Sequence, residues 1–118
     1  MVVGSVASSA YGEARSTLDI DLVLSAGPED TERIVSAFPV DAYYVPPAEV
    51  IRRELHRGRK GTFNIIHPNT SLKADLYPMG SDEVNQMGMR NRRPIEIPDV
   101  GILYVAPPEC VIIGKLRY

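Results

Sequence analysis

The stretch Leu-Asp-Ile-Asp-Leu-Val-Leu, residues 18–24, gives this chain its clearest structural signature. Apolar and acidic side chains alternate along most of it, which is the pattern of a β-strand with two unlike faces. Asp19 and Asp21 share one face, because side chains two residues apart along a strand point the same way. Two carboxylates held side by side need a counter-charge, and a divalent cation such as Mg²⁺ provides one. The alternative is a solvent-facing strand whose two acids carry no function.

Further strand and helix patterns lie on both sides of this strand. Strand patterns fall at residues 1–3, 40–45, 62–66, 72–77 and 102–105, and helix patterns fall at 29–38, 46–58, 81–90 and from 107 onwards. Their order favours an α+β fold over strict alternation of strand and helix. We expect a single domain, residues 1–118, in which a small mixed β-sheet carries its helices mainly on one face.

The composition of the 118-residue chain is that of an ordinary globular protein, with 44% hydrophobic and 24% charged residues. Disordered and low-complexity classes do not fit this balance. The formal net charge of −2 gives no overall attraction for nucleic acid. The single cysteine, Cys110, cannot form an internal disulfide, which favours a reducing, cytoplasmic environment. No apolar run approaches the roughly 20 residues that cross a bilayer, so we expect no membrane partner.

A third carboxylate and a glycine turn accompany the two aspartates. Asp75 falls on the polar face of the strand at residues 72–77, together with Lys73 and Tyr77. Gly4-Ser5 ends the first apolar stretch, where backbone N–H groups and a hydroxyl can face phosphate oxygens. Three carboxylates on strands beside a glycine turn indicate a two-metal site for phosphoryl transfer.

These residues together resemble the DNA polymerase β-like nucleotidyltransferases. The family pattern is an apolar strand, Gly-Ser or Gly-Gly, a spacer of roughly ten residues, Asp-x-Asp and a distant carboxylate on a strand. The matching segments here are Val2-Val3-Gly4-Ser5, the spacer ending in residues 11–17, Asp19-Ile20-Asp21-Leu22 and Lys73-Ala74-Asp75-Leu76. Residues 107–116 are also similar to a helix of uncharacterised and abortive-infection toxin-type members. The resemblance covers most of the chain and implies a nucleotidyltransferase-like core.

The resemblance implies an enzyme that transfers a nucleoside monophosphate from a nucleoside triphosphate such as ATP to a hydroxyl, with pyrophosphate leaving. Asp19 and Asp21 would bridge two Mg²⁺ ions, or Mn²⁺ in their place. Asp75 would bind the ion nearer the nucleophile and help to remove its proton.

The resemblance also implies the nucleotide-binding residues. Gly4 would let the backbone approach the triphosphate, and Ser5 would donate to a β- or γ-oxygen. Arg15 and Ser16 stand where the family often carries polar residues near the phosphates, although a solvent-facing arginine is an equal alternative. The base and the acceptor, whether tRNA, protein or small molecule, stay open.

The chain departs from the family pattern at both ends. Only three residues precede Gly4, where the family has a helix and a longer strand, and little follows Leu116. We therefore expect either a fragment or a homo-oligomer in which another copy covers an apolar face. The departure also leaves open a catalytically degenerate module for nucleotide sensing or protein interaction.

Two basic clusters supply a third possibility, a nucleic-acid-binding domain. The first lies at residues 52–60 and the second contains Arg90, Arg92 and Arg93. The competing interpretation of the first is a solvated helix end, where cations also favour the helix dipole. His56 and His67 lack partners at zinc-ligand spacing, and Cys110 fits a buried structural thiol. The remaining aromatic candidates fit sheet packing: Tyr43, Tyr44, Tyr77 and Tyr104.

Overall fold

The computed structural model describes residues 1–12 and 19–117. Within them, six strands and five α-helices confirm the predicted α+β class. In chain order the elements are β1 (Val2–Val3), α1 (Gly4–Tyr11), β2 (Asp19–Leu24), α2 (Thr31–Ser36), α3 (Ala48–His56), β3 (Phe63–His67), β4 (Leu72–Pro78), α4 (Glu83–Arg90), β5 (Arg93–Ile97), β6 (Gly101–Val105) and α5 (Pro108–Arg117). Short 3₁₀ turns occupy Pro28–Asp30 and Gly58–Lys60. None of the helices in these residues is long and apolar enough to cross a membrane.

The strands form one mixed sheet in the order β3-β4-β2-β1-β6-β5. The pairs β2–β4 and β1–β6 are parallel, and the other neighbours are antiparallel. The hairpin of β3 and β4 is the one that the sequence predicts. Because β2 and β4 are parallel and in register, Asp21 stands directly opposite Asp75. The sheet topology thus brings together two carboxylates that are far apart in sequence.

Two apolar cores pack against the sheet and share Leu22 of its central strand β2. The first joins β1 and β6 to α1, α4 and α5, and Val2 and Ala7 lie at its centre. The second joins α3 to the β3–β4 hairpin and is centred on Ile51. With the exception of Val3, the sheet residues of both cores lie on the face that carries Leu22. The aspartates of β2 and β4 therefore occupy the opposite face, which they share with the buried Val23.

Two strand predictions differ from the structure. The strand expected at residues 40–45 is wrong, because the N–H groups of Ala42 and Tyr43 both donate to the Pro39 carbonyl and form a turn. Only Tyr44 makes a strand-like contact there, an isolated bridge to Ile66. Strand β5 is absent from the sequence prediction, since Pro94 interrupts its pattern. A proline is tolerated because β5 is an edge strand of the sheet.

A buried glutamate connects the end of α3 to the segment before the β3–β4 hairpin through hydrogen bonds. Glu54 accepts hydrogen bonds from Arg57 Nη1 at 3.1 and 2.9 Å and from the Thr62 backbone N–H at 3.1 Å. The Thr62 hydrogen bond, helped by Arg57, keeps the pKa of Glu54 below its usual value although burial opposes this. Glu54 thereby contributes to the stability of the edge of the second core.

Candidate active site

The candidate site is built on the polar face of β2 and β4. Asp19 and Asp21 alternate along β2, and Asp75 stands on β4 opposite Asp21. Lys73 stands opposite Asp19, and its Nζ lies 3.9 Å from Asp19 Oδ1 and 3.7 Å from Asp75 Oδ2. The Tyr77 hydroxyl donates a long hydrogen bond, 3.5 Å, to Asp21 Oδ1. This face therefore combines three carboxylates with one ammonium and one phenol.

Helix α1 begins directly beside the Asp21 carboxylate. Its first residue, Gly4, has a φ of +66°, a conformation that favours glycine. A Cβ at Gly4 would overlap Asp21 Oδ2 and lie 3.0 Å from Asp21 Cγ. The N-cap residue of α1 is Val3, whose apolar side chain does not cap the first N–H groups of the helix. Both the backbone conformation and the carboxylate therefore favour glycine at this position.

A cavity of about 420 Å³ opens next to this contact. Gly4, Ser5, Asp21 and Tyr77 contribute to its lining. The apolar part of the wall includes Val23, Val84, Cys110 and Val111, and the cationic part contains Arg59, Lys115 and Arg117. Asp82 also lines the cavity, so its wall combines apolar residues with groups of both charges, as is typical of small-molecule sites.

Two polar contacts fix α4 and α5 around the cavity. Asp82 is 6% exposed, caps α4 through the Val84 N–H at 3.1 Å, and accepts from Arg117 Nη2 at 3.0 Å. Lys115 Nζ donates to Ser8 Oγ of α1 at 3.0 Å. These contacts hold Lys115 and Arg117 in place, and the Asp82 carboxylate balances the charge of Arg117.

The surroundings of Asp21 change its pKa. Partial burial raises the pKa of Asp21, and the negative charge of Asp75 raises it further, while the Tyr77 hydrogen bond opposes the shift. A cation beside Asp21 would favour its ionised form.

The oxygen ligands of the site fit a hard divalent cation, since three carboxylates share one face and one of them, Asp21, lies beside Gly4. As they stand, however, no three His, Cys, Asp or Glu side chains of the described residues converge tightly enough to hold a metal ion. The Lys73 ammonium lies instead between Asp19 and Asp75. Binding of a metal ion would therefore require some of these side chains to move.

The structure places the predicted site residues in two groups. Gly4, Ser5 and Asp21 line the cavity, whereas Asp19 and Asp75 share the carboxylate face without lining it. The predictions for Arg15 and Ser16 fall outside the described residues.

Other contributors to the site are absent from the sequence-based prediction. The alternation of β4 places Lys73 and Tyr77 on the acidic face, but it does not show that they contact the aspartates. The cavity residues Arg59, Asp82 and Lys115 come from separate segments of the chain. Arg59 belongs to the first basic cluster and Lys115 to the segment 107–116, but neither pattern predicts that they line one cavity. Cys110 is buried as expected, and burial raises the pKa of its thiol.

Several arginines of the two basic clusters have partners. In the first cluster, Arg52 lies 3.1 Å from Glu32, and Arg57 lies 2.9 Å from Glu54. In the second, the Arg92 guanidinium lies 4.9 Å from the centre of the Tyr104 ring. Part of the charge of the first cluster is therefore neutralised within the chain, which weakens the argument that this cluster is a nucleic-acid surface.

Comparison with known proteins adds no assignment. No protein-family model matches the chain, and no curated protein matches its sequence.

Proposed function

We propose that this chain is a nucleotidyltransferase domain that transfers a nucleoside monophosphate from a nucleoside triphosphate to a hydroxyl acceptor with the help of Mg²⁺. The observation that carries the proposal is the register of β2 and β4, which sets Asp21 opposite Asp75 and puts Asp19 on the same face. Helix α1, starting at Gly4, meets the same carboxylate. The resemblance to the DNA polymerase β-like family supports the same function.

The nucleoside triphosphate would bind where α1 and the cavity meet. The N–H groups at the start of α1 and the Ser5 hydroxyl are hydrogen-bond donors to phosphate oxygens. Arg59 and Lys115 supply positive charge along the cavity wall. The apolar part of the wall offers a dry surface for the nucleoside.

The carboxylates carry the chemical step in this proposal. Asp19, Asp21 and Asp75 would hold the divalent cation, and Asp75 would also accept the proton of the acceptor hydroxyl. The bound cation would neutralise negative charge that develops on the phosphoryl group. The hydroxyl oxygen forms a bond to the α-phosphorus, the bond from that phosphorus to the bridging oxygen breaks, and pyrophosphate leaves with its electron pair.

A transfer assay tests the proposal. Each nucleoside triphosphate, labelled at the α-phosphate, is incubated with Mg²⁺ and with RNA, protein or small-molecule fractions of a cell extract. We expect label on one fraction with equimolar release of pyrophosphate. Asp75→Asn should reduce the rate at least about a hundredfold, since a general base alone contributes this much. The control Asp41→Asn changes an exposed aspartate outside the site and should leave the rate unchanged.

Failure to transfer label to any fraction, together with tight binding of a nucleoside triphosphate, would instead favour the degenerate sensing module. Absence of both transfer and binding would reject both hypotheses.

We propose a cytoplasmic location on the basis of the free, buried Cys110.

A further inference from the structure

Lys73 holds an unusual position among the candidate metal ligands. Its ammonium reaches Asp19 Oδ1 at 3.9 Å and Asp75 Oδ2 at 3.7 Å, so it bridges two strands. The side chain is 35% exposed and that of Asp75 is 21% exposed, so this pair is only partly open to water. An ion pair shielded in this way keeps more of its attraction than a fully exposed pair.

We propose that Lys73 is the resident counter-cation of the carboxylate face, and that a divalent cation must compete with its ammonium for the oxygens of Asp19 and Asp75. The proposal rests on the proposed function and concerns the regulation of that same site. Lys73 is a positioning residue here, because it acts on the carboxylates and not on substrate.

Charge arithmetic supports this role. Three ionised aspartates give the face a charge of −3, and Lys73 reduces it to −2. Without Lys73 the three like charges on one face would repel one another with no cation among them. With Lys73 in place, an incoming divalent cation meets a like charge a few ångströms away, and repulsion at this range is strong in a partly shielded site.

A consequence follows for the order of binding. A metal ion alone must displace or tolerate the ammonium, and it therefore binds weakly. A nucleoside triphosphate brings further negative charge and offers Lys73 another partner, so the metal ion binds more tightly together with the nucleotide than alone. Lys73 thus keeps the face ordered without metal and couples metal binding to nucleotide binding.

The test counts bound Mn²⁺ by electron paramagnetic resonance, without nucleotide, for the wild type and for Lys73→Met. Methionine preserves much of the length of the side chain and removes the charge. We expect Lys73→Met to bind Mn²⁺ at least about tenfold more tightly, because the competing charge is gone. Lys73→Arg keeps the charge and should bind Mn²⁺ as weakly as the wild type. Lys60→Met is the matched control, since Lys60 is exposed and makes no ion pair within the described part of the chain.

Thermal unfolding without metal gives a second measurement. Lys73→Met should melt at a lower temperature than the wild type in the absence of Mn²⁺ and should gain more from added Mn²⁺. A lysine with a merely structural role would lower the melting temperature without raising the affinity for Mn²⁺.

The outcomes separate this inference from the proposed function. Equal or weaker Mn²⁺ affinity in Lys73→Met, with measurable binding to the wild type, would overturn the role of Lys73 and leave the metal site intact. No Mn²⁺ binding to any variant, with or without ATP, would remove the metal site itself and with it both proposals.

Discussion

Replacement of Gly4 by alanine tests the geometry on which the candidate site depends. Gly4 has a φ of +66°, and an alanine there would adopt a left-handed conformation that costs about 1–2 kcal/mol. The new Cβ would also overlap the Asp21 carboxylate, and turning that side chain away from its rotamer costs about 0.5–1.5 kcal/mol. The expected loss of unfolding free energy for Gly4→Ala is therefore about 1.5–3.5 kcal/mol.

Thermal and urea denaturation measure this loss. For 118 residues the unfolding entropy is about 0.25 kcal/mol per degree, so the melting temperature should fall by about 6–14 °C. Gly114→Ala is the matched control, because a Cβ there meets no atom within 4 Å and the residue lies inside α5. That control should be neutral or stabilising by up to about 1 kcal/mol.

A double variant separates the two contributions. In an Asp21→Ala background the carboxylate is gone, so Gly4→Ala should lose only the backbone share of about 1–2 kcal/mol. If Gly4→Ala is as stable as the wild type, the contact between α1 and Asp21 is not as described. If the loss is unchanged in the Asp21→Ala background, the carboxylate does not occupy the position next to Gly4.

Two further predictions concern the buried acids. Glu54 has a lowered pKa, so its stabilising effect is complete above the usual carboxyl pKa and is lost as the pH falls through the lower folded value. Glu54→Gln should therefore destabilise the protein at pH 7 and make its stability depend less on pH between pH 3 and 7, as measured by urea denaturation. The control Glu49→Gln changes an exposed glutamate and should have neither effect. Parallel stability profiles for the two variants would contradict the stabilising role of the Glu54 carboxylate. Asp82→Ala should cost about 2–4 kcal/mol, because it removes the cap of α4 and leaves the partly buried Arg117 without this carboxylate. Asp82→Ser restores a capping oxygen and should recover about 1 kcal/mol of this loss, and equal stability of the two variants would exclude the capping contribution.

The alternation of apolar and acidic residues predicts most of the central sheet. The three aspartates lie on the polar face of the sheet, as the two-residue alternation predicts. Their neighbours along the strands, Leu22 and Leu76, point to the other face and pack in the apolar cores. The pairing of β2 with β4 does not follow from the pattern, since nothing local shows which strands become neighbours. The direct opposition of Asp21 and Asp75 is thus a product of topology.

The elements that the sequence did not predict correctly have local explanations. Residues 40–45 have the composition of a strand, yet they form a turn in which the Pro39 carbonyl accepts hydrogen bonds from the N–H groups of Ala42 and Tyr43. Strand β5 contains a proline, which an edge strand tolerates. The cavity is lined by Arg59, Asp82 and Arg117, which come from three separate segments of the chain. Residues so far apart in sequence form no periodic pattern that could predict their proximity.

The central claim is that the face of Asp19, Asp21 and Asp75 binds a nucleoside triphosphate together with a divalent cation. The most direct measurement is calorimetric titration of the wild type and Asp19→Asn with ATP, GTP, CTP and UTP, each with and without Mg²⁺. We expect at least one nucleotide to bind the wild type in a Mg²⁺-dependent manner, and we expect Asp19→Asn to lose this dependence while remaining folded. Binding that is the same with and without Mg²⁺, or that Asp19→Asn retains in full, would contradict it.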